Sequence, residues 1–197
     1  MITPFLWIGV LILFGVVTTY LTPYFKSWLG AYMVEKNFGK LPDNYRQWHK
    51  IEFDRGGGRI VKIDHLVASR QGVFIVQNVD CEGVVSGCEK SNAWKQRQGG
   101  KSNSFPNPLR LGENQIACLV ERSQLRTKQF HNVVILTGEI QLSSELPENV
   151  ITAGFSKYLL GHKNLIISEQ ELDEFCKMMD ASLSCVDSDA KVACASG

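Results

Sequence analysis

Two apolar runs separated by a short turn constrain this chain more than any other feature. Ile60 to His65 reads Ile-Val-Lys-Ile-Asp-His, and Val73 to Asp80 reads Val-Phe-Ile-Val-Gln-Asn-Val-Asp, with Gln71-Gly72 just before the second run. A glycine in a polar break between β-branched runs is a hairpin signal. In the second run Val73, Ile75, Gln77 and Val79 share one face, and Phe74, Val76, Asn78 and Asp80 share the other. Both faces are largely apolar, so this strand is expected to be buried on both sides. The hairpin sets Asp64 near one strand end, with Gln77 and Val79 across from it.

The rest of the chain supplies layers for such a strand. Ser27 to Phe38 has helical spacing (Trp28, Tyr32, Val34, Phe38), ended by Leu41-Pro42-Asp43-Asn44. Trp48 to Phe53 reads as a strand. Gly56-Gly57-Gly58 reads as a turn, because a phosphate cradle would need a following Lys-Ser/Thr and a helix. Gly83 to Gly87 and Ala93 to Lys95 are short strands, and Gly99 to Asn107 is expected to be loop. Pro108 to Leu125 reads as a helix with Leu109, Ile116, Leu119, Val120 and Leu125 inward. Val133 to Thr137 and Val150 to Gly154 read as strands. Ser168-Glu169-Gln170-Glu171 is a capping box opening a helix that buries Leu172, Phe175 and Met178 or Met179. From Ala181 the chain is rich in Ser, Asp and Ala, and residues 181–197 are expected to form a disordered tail. This order implies an α/β sheet covered on both faces.

Phe5 to Leu21 is apolar and uncharged, and extended to Tyr24 it reaches the roughly 20 residues that cross a bilayer. Trp7 lies at one end, and Tyr20 and Tyr24 at the other, as interfacial aromatics do. A cleaved signal would want a base before the run and a small-x-small site after it; neither is present. Lys26, Lys36, Lys40 and Arg46 all follow the segment. The expected layout is a transmembrane anchor at 1–25 with its N-terminus outside, and a cytoplasmic domain at 26–180 of a single-pass protein, as in a bacterial inner membrane.

With 21 bases against 20 acids, total charge selects no partner. Its distribution does more: Lys90, Lys95, Arg97, Lys101, Arg110, Arg122, Arg126 and Lys128 face only Glu89, Glu113 and Glu121 between Cys88 and Lys128. Such a surplus could follow a phosphate backbone, with Lys90, Lys95, Arg97, Lys101 and Arg110 as the contact residues. A solvated surface is the plainer reading. The six cysteines show no Cys-x-x-Cys and no zinc spacing. Cys118 sits in an apolar helix and is expected to be buried. Cys81 and Cys88 could meet in space, but a reducing compartment disfavours a disulfide.

The segments Ile63-Asp64-His65-Leu66-Val67 and Gly72-Val73-Phe74-Ile75-Val76, then Gly83, Trp94 and Phe105-Pro106-Asn107-Pro108-Leu109, together resemble the nuclease-related domain (NERD) family over Lys26 to Thr137. The resemblance implies a restriction-endonuclease-like fold: a mixed sheet flanked by helices, here preceded by one transmembrane helix. It also implies an active-site pattern of an Asp on one strand and an acidic-x-Lys on the next. The metal-binding Asp falls on Asp64, with His65 its neighbour. The Glu-x-Lys falls on Gln77 and Val79, an early Glu on Ala31, and a Gln on Leu111.

Phosphodiester hydrolysis by such a site needs a metal to polarise phosphate and acidify water. Hard Mg²⁺ wants carboxylate oxygens. Gln77 offers only a neutral carbonyl, and Val79 cannot stabilise developing charge as an ammonium does. The expected site is therefore degenerate: Asp64 and Gln77 beside His65, with Asp64 as a weak metal ligand at best. No cofactor is expected unless Glu82, with Lys95 or Lys101, supplies a migrated acid and base; an active enzyme would then use Mg²⁺ or Mn²⁺. Trp94 is read as core rather than as a base-stacking platform. The expected function is a membrane-anchored, catalytically inactive NERD-type domain that binds DNA, RNA or a protein partner. The alternatives are an active nuclease with displaced residues and a structural subunit of a membrane complex.

Overall fold

Strand β3 (Gly72–Asp80) is the centre of a five-stranded sheet, in the order β1 (Arg46–Asp54), β2 (Ile60–Ser69), β3, β7 (Phe130–Thr137), β9 (Val150–Ile151). The computed structural model describes residues 41–55, 60–142 and 146–194, with side chains as far as Ser182. The apolar segment at 5–24, the expected helix at 27–38, Ala31 and the three glycines at 56–58 lie outside the described residues. Among the described residues no helix is long and apolar enough to cross a membrane.

Strand β3 pairs antiparallel with β2 and parallel with β7. The parallel link needs a crossover, and helix α1 (Pro108–Arg122) lies within it. Val73, Phe74, Ile75 and Val76 are fully buried, as an apolar run on both faces requires. On one face Val73 and Ile75 pack with Ile116 and Leu119 of α1 and with Phe175 and Met179 of α3 (Glu169–Cys194). On the other, Phe74 and Val76 pack with Phe155 and Leu159 of α2 (Phe155–Gly161). Each such side chain gains about 1.5–3 kcal/mol from burial. This mixed α/β arrangement fits the restriction-endonuclease-like architecture. The capping box at Ser168 forms: Ser168 N donates to Glu171 Oε2 at 2.9 Å and Glu171 N to Ser168 Oγ at 3.2 Å. The α3 backbone is helical as far as Cys194. Alanine is the best helix former, and a helix already nucleated tolerates the Ser and Asp that follow.

A second sheet continues the first. Strands β4 (Gly83–Ser86), β5 (Ala93–Gln98), β6 (Lys101–Pro106) and β8 (Ile140–Leu142) lie in the order β6-β5-β4-β8. β3 leads into β4, and β7 into β8. Between them the parallel ladder is carried by Cys81 N to Thr137 O at 3.0 Å and Gly83 N to Glu139 O at 2.8 Å. Gly138 makes this break possible: its φ is 108°, and a Cβ there would overlap the Cys81 carbonyl. The expected loop at 99–107 is instead strand β6. Gly99 (φ 55°) and Gly100 (φ 82°) form a two-residue hairpin turn, and pairing runs from Gln98↔Lys101 to Ala93↔Pro106. Lys101 to Ser104 are polar and exposed, so the strand leaves no apolar signature. Cys81 is buried and Cys88 exposed, and both are free. Burial, then the neighbouring Asp80 charge, pushes the Cys81 thiol up to about 11.

Asn107-Pro108 ties the second sheet to α1. Asn107 is buried; its Oδ1 accepts from Leu109 N at 3.0 Å as the N-cap, with Pro108 at the first helical position. Its Nδ2 donates to the carbonyls of Glu89 at 2.9 Å and Ser91 at 2.7 Å. The pair is structural: it staples the 88–91 loop to the helix start. Trp94 is fully buried beside it, its Nε1 donating to Cys88 O at 3.2 Å, which bears out the core reading.

His131 of β7 stacks on Phe74 with ring centroids 4.6 Å apart, and lies 4.7 Å from the ring of His162. Burial, and then the charge of His162, lowers its pKa from the ordinary 6.5, while a hydrogen bond donated by its ring to the Gln71 backbone opposes this. His162, itself packed on Tyr158 with ring centroids 5.0 Å apart, is the titratable ring against it. With the folded value below the unfolded one, neutral His131 contributes stability above about pH 6.5, lost as pH falls through the folded value. Thermal midpoints measured from pH 7.5 to 5 should fall less for His131→Phe, which keeps the stack, than for the native chain; equal slopes would remove His131 as a source.

Candidate functional site

The candidate site lies where β2 and β3 part. Their ladder runs from Ser69↔Gly72 to His65↔Val76 and stops. Asp64 and Gln77 would form the next rung. Beyond it β2 stays paired only with β1, down to Ile60, and β3 only with β7, up to Asp80↔Thr137. Parting strands strand backbone groups that must find other partners. Helix α1 supplies one: Gln115 Nε2 donates to Lys62 O at 2.5 Å, while Gln115 Oε1 accepts from Gln77 Nε2. Gln77 and Gln115 are 3% and 2% exposed. Two buried neutral amides thus bridge the gap between the strands.

Val79 follows on the same face as Gln77. It is half-buried against the apolar cluster that holds Trp94, Leu109 and Leu136. At the position where the resemblance wants an ammonium, the surroundings are hydrocarbon.

Asp64 sits at a kink. The β1–β2 register goes from His49↔His65 to Ile51↔Ile63 with no rung at Lys50 and Asp64, and Lys50 has φ 52°. Holding a side chain in the left-handed region costs roughly 1–2 kcal/mol. The kink lets Trp48 and Ile51, three residues apart, both enter one core cluster, and likewise Leu66 and Ile63. Asp64 is exposed, and no hydrogen bond or ion pair joins it to Gln77. Beside it, the Nδ1 atoms of His65 and His49 lie 2.7 Å apart, so one ring donates and the other accepts. His65 is thus half-buried and partnered by His49.

The displaced groups lie elsewhere. Glu82 Oε2 accepts from Gln98 Nε2 at 2.5 Å, and its carbonyl accepts from Gln96 Nε2 at 2.9 Å, so it belongs to the second sheet. Lys95 is on β5, and Lys101 begins β6 after the glycine turn. The basic candidates are all exposed but do not form one patch. Arg110 Nη2 donates to Lys90 O at 3.2 Å, which places those two together at the start of α1. Lys95 and Arg97 share one side of β5, and Lys101 stands at the hairpin end.

The donor set tests the implied metal. Among the matched positions that are described, Asp64, Gln77, Val79 and Leu111 offer one carboxylate, one hydrogen-bonded amide and two hydrocarbons, and these do not fit Mg²⁺. Among the described residues no three His, Cys, Asp or Glu side chains form a group able to hold a metal ion. Sequence reading missed Gln115, His49 and Lys50. For Gln115 a signal existed: it is polar yet lies on the stripe of Leu109, Gly112, Ile116 and Leu119, all of them buried.

Gln115→Leu strands the Gln77 amide and the Lys62 carbonyl, at about 1–3 kcal/mol for each buried group left unpaired. Gln77→Leu/Gln115→Leu removes both amides, so it should cost less than the sum of the single changes. Urea unfolding of the four proteins reads the coupling; strict additivity would show that the two amides do not act together.

The family profile described as nuclease-related domain matches residues 26–137, a span that includes β1 to α1 and all of β7. An uncharacterized protein of Bacillus anthracis is 34% identical over 103 residues, covering 52% of this chain and 49% of that protein. The chain spans about half the length of that relative. No solved structure matches. With more than half of its length under the family profile, the chain belongs to the nuclease-related domain (NERD) family.

Proposed function

We propose that this is a NERD-domain protein whose nuclease-type pocket does not hydrolyse phosphodiesters. It serves instead to bind nucleic acid or a protein partner, and is held at the cytoplasmic face of a membrane by the apolar segment at 5–24. The observation that carries the reading is the Gln77–Gln115 amide pair. Each amide already has its partner, both are neutral, and neither can take a proton from water. Val79 adds no charge for a developing oxyanion. Glu82, the acid the sequence offered as a displaced ligand, is engaged by Gln98 in the other sheet. The membrane part rests on the length and charge flanks of the segment.

Two measurements test it. The purified full chain, incubated with Mg²⁺ or Mn²⁺, should leave labelled DNA and RNA intact; cleavage that Asp64→Ala abolishes would falsify the inactive-pocket reading. A reporter fused at Gly197 should be active only on the cytoplasmic side, and activity confined to the outer side would reverse the orientation.

A further inference from the structure

The four-stranded sheet has an outer side that the pocket does not use. Strand alternation buries Trp94 on the inner side, where its ring meets Phe105 with centroids 6.2 Å apart. Lys95 and Arg97 therefore stand on the outer side, two residues and ~7 Å apart along β5. Register fixes their neighbours: Lys95 lies between Ser86 and Ser104, and Arg97 between Val84 and Ser102. Gln141 of β8 lies opposite Val84. Within strands β4, β5, β6 and β8 this face carries no Asp or Glu, and the Lys95 and Arg97 side chains have no hydrogen-bond or ion-pair partner.

Several other cations are engaged within the chain. Arg46 is answered by Asp180, Arg55 by Glu121, Arg70 by Glu169 and Lys62 by Glu52. Arg122 lies over the Phe53 ring, and Arg110 is spent on the Lys90 carbonyl. Two unopposed cations flanked by hydroxyl side chains suit successive phosphates of one strand. The face carries no aromatic side chain on which an unpaired base could stack, which favours a duplex over a single strand.

We propose that this outer face, with Lys95 and Arg97 as its charges and Ser102 as a hydroxyl donor, docks the phosphate backbone of duplex nucleic acid without reading its bases. The proposal rests on the reading that the chain binds nucleic acid, and it gives that binding a surface apart from Asp64 and Gln77.

The test is binding of the full chain to two 20-base-pair DNA duplexes of unrelated sequence across a salt series. The native chain should bind both alike. Lys95→Ala/Arg97→Ala should flatten the slope of log K against log[salt] by about 1.8, or about 0.9 per phosphate released. The charge-keeping Lys95→Arg/Arg97→Lys should retain the native slope, as should Lys163→Ala/Lys177→Ala elsewhere on the surface. Native binding with an unchanged slope in Lys95→Ala/Arg97→Ala overturns this surface and leaves nucleic-acid binding standing. So does a loss in that variant confined to anionic phospholipid vesicles. Failure of the native chain to bind either duplex at low salt removes both readings.

Discussion

A pair of buried amides holds the parting strands in place, and both the fold and the pocket depend on it. Gln115 reaches from α1 to the Lys62 carbonyl and receives the Gln77 amide, so the gap below the last β2–β3 rung contains satisfied, uncharged groups. A buried carboxylate at position 77 would face Gln115 Oε1, and acceptor against acceptor in a dry site is costly unless a cation intervenes. The neutral pair removes that need. In this chain the opening between strands that could hold a metal is stabilised by hydrogen bonds internal to the protein.

The second constraint is the kink at Lys50 and Asp64. It spends backbone strain to turn two successive stretches of β1 and β2 toward one core, with Trp48 and Leu66 on one side of the break and Ile51 and Ile63 on the other. Asp64 is left exposed as a consequence of that turn. Strain of this kind concentrates at functional positions. Here it persists beside a histidine pair, while the groups that would complete a hydrolytic site are amide and hydrocarbon.

Much of this was legible in the sequence, for physical reasons that differ by element. Strand β3 announced itself because eight residues with two apolar faces leave few alternatives. Asn107-Pro108 announced a helix start, though its second role, holding the 88–91 carbonyls, depends on residues far along the chain. Strand β6 was hidden, since an edge strand exposed to water needs no alternation beyond Phe105. The single turn pair Gly99-Gly100 was its only mark. Gln77 and Val79 could be picked out as departures from the family pattern, but not what surrounds them. That Gln115 would answer Gln77 follows from how α1 crosses the sheet, which no local pattern encodes. The basic stretch read as one patch in sequence divides in space, because strand alternation and the hairpin send Lys95 and Arg97 to one side and Arg110 to the helix start.

The central claim is that the opening between β2 and β3 is filled by a neutral amide pair rather than a cation site. Side-chain NH₂ resonances of Gln77 and Gln115, followed in the full chain during a Mn²⁺ titration, test it directly. Buried, hydrogen-bonded amides should remain sharp and slow to exchange throughout. Selective paramagnetic broadening of those two resonances at low Mn²⁺, abolished by Asp64→Ala, would mean that a divalent ion occupies the pocket and the account is wrong.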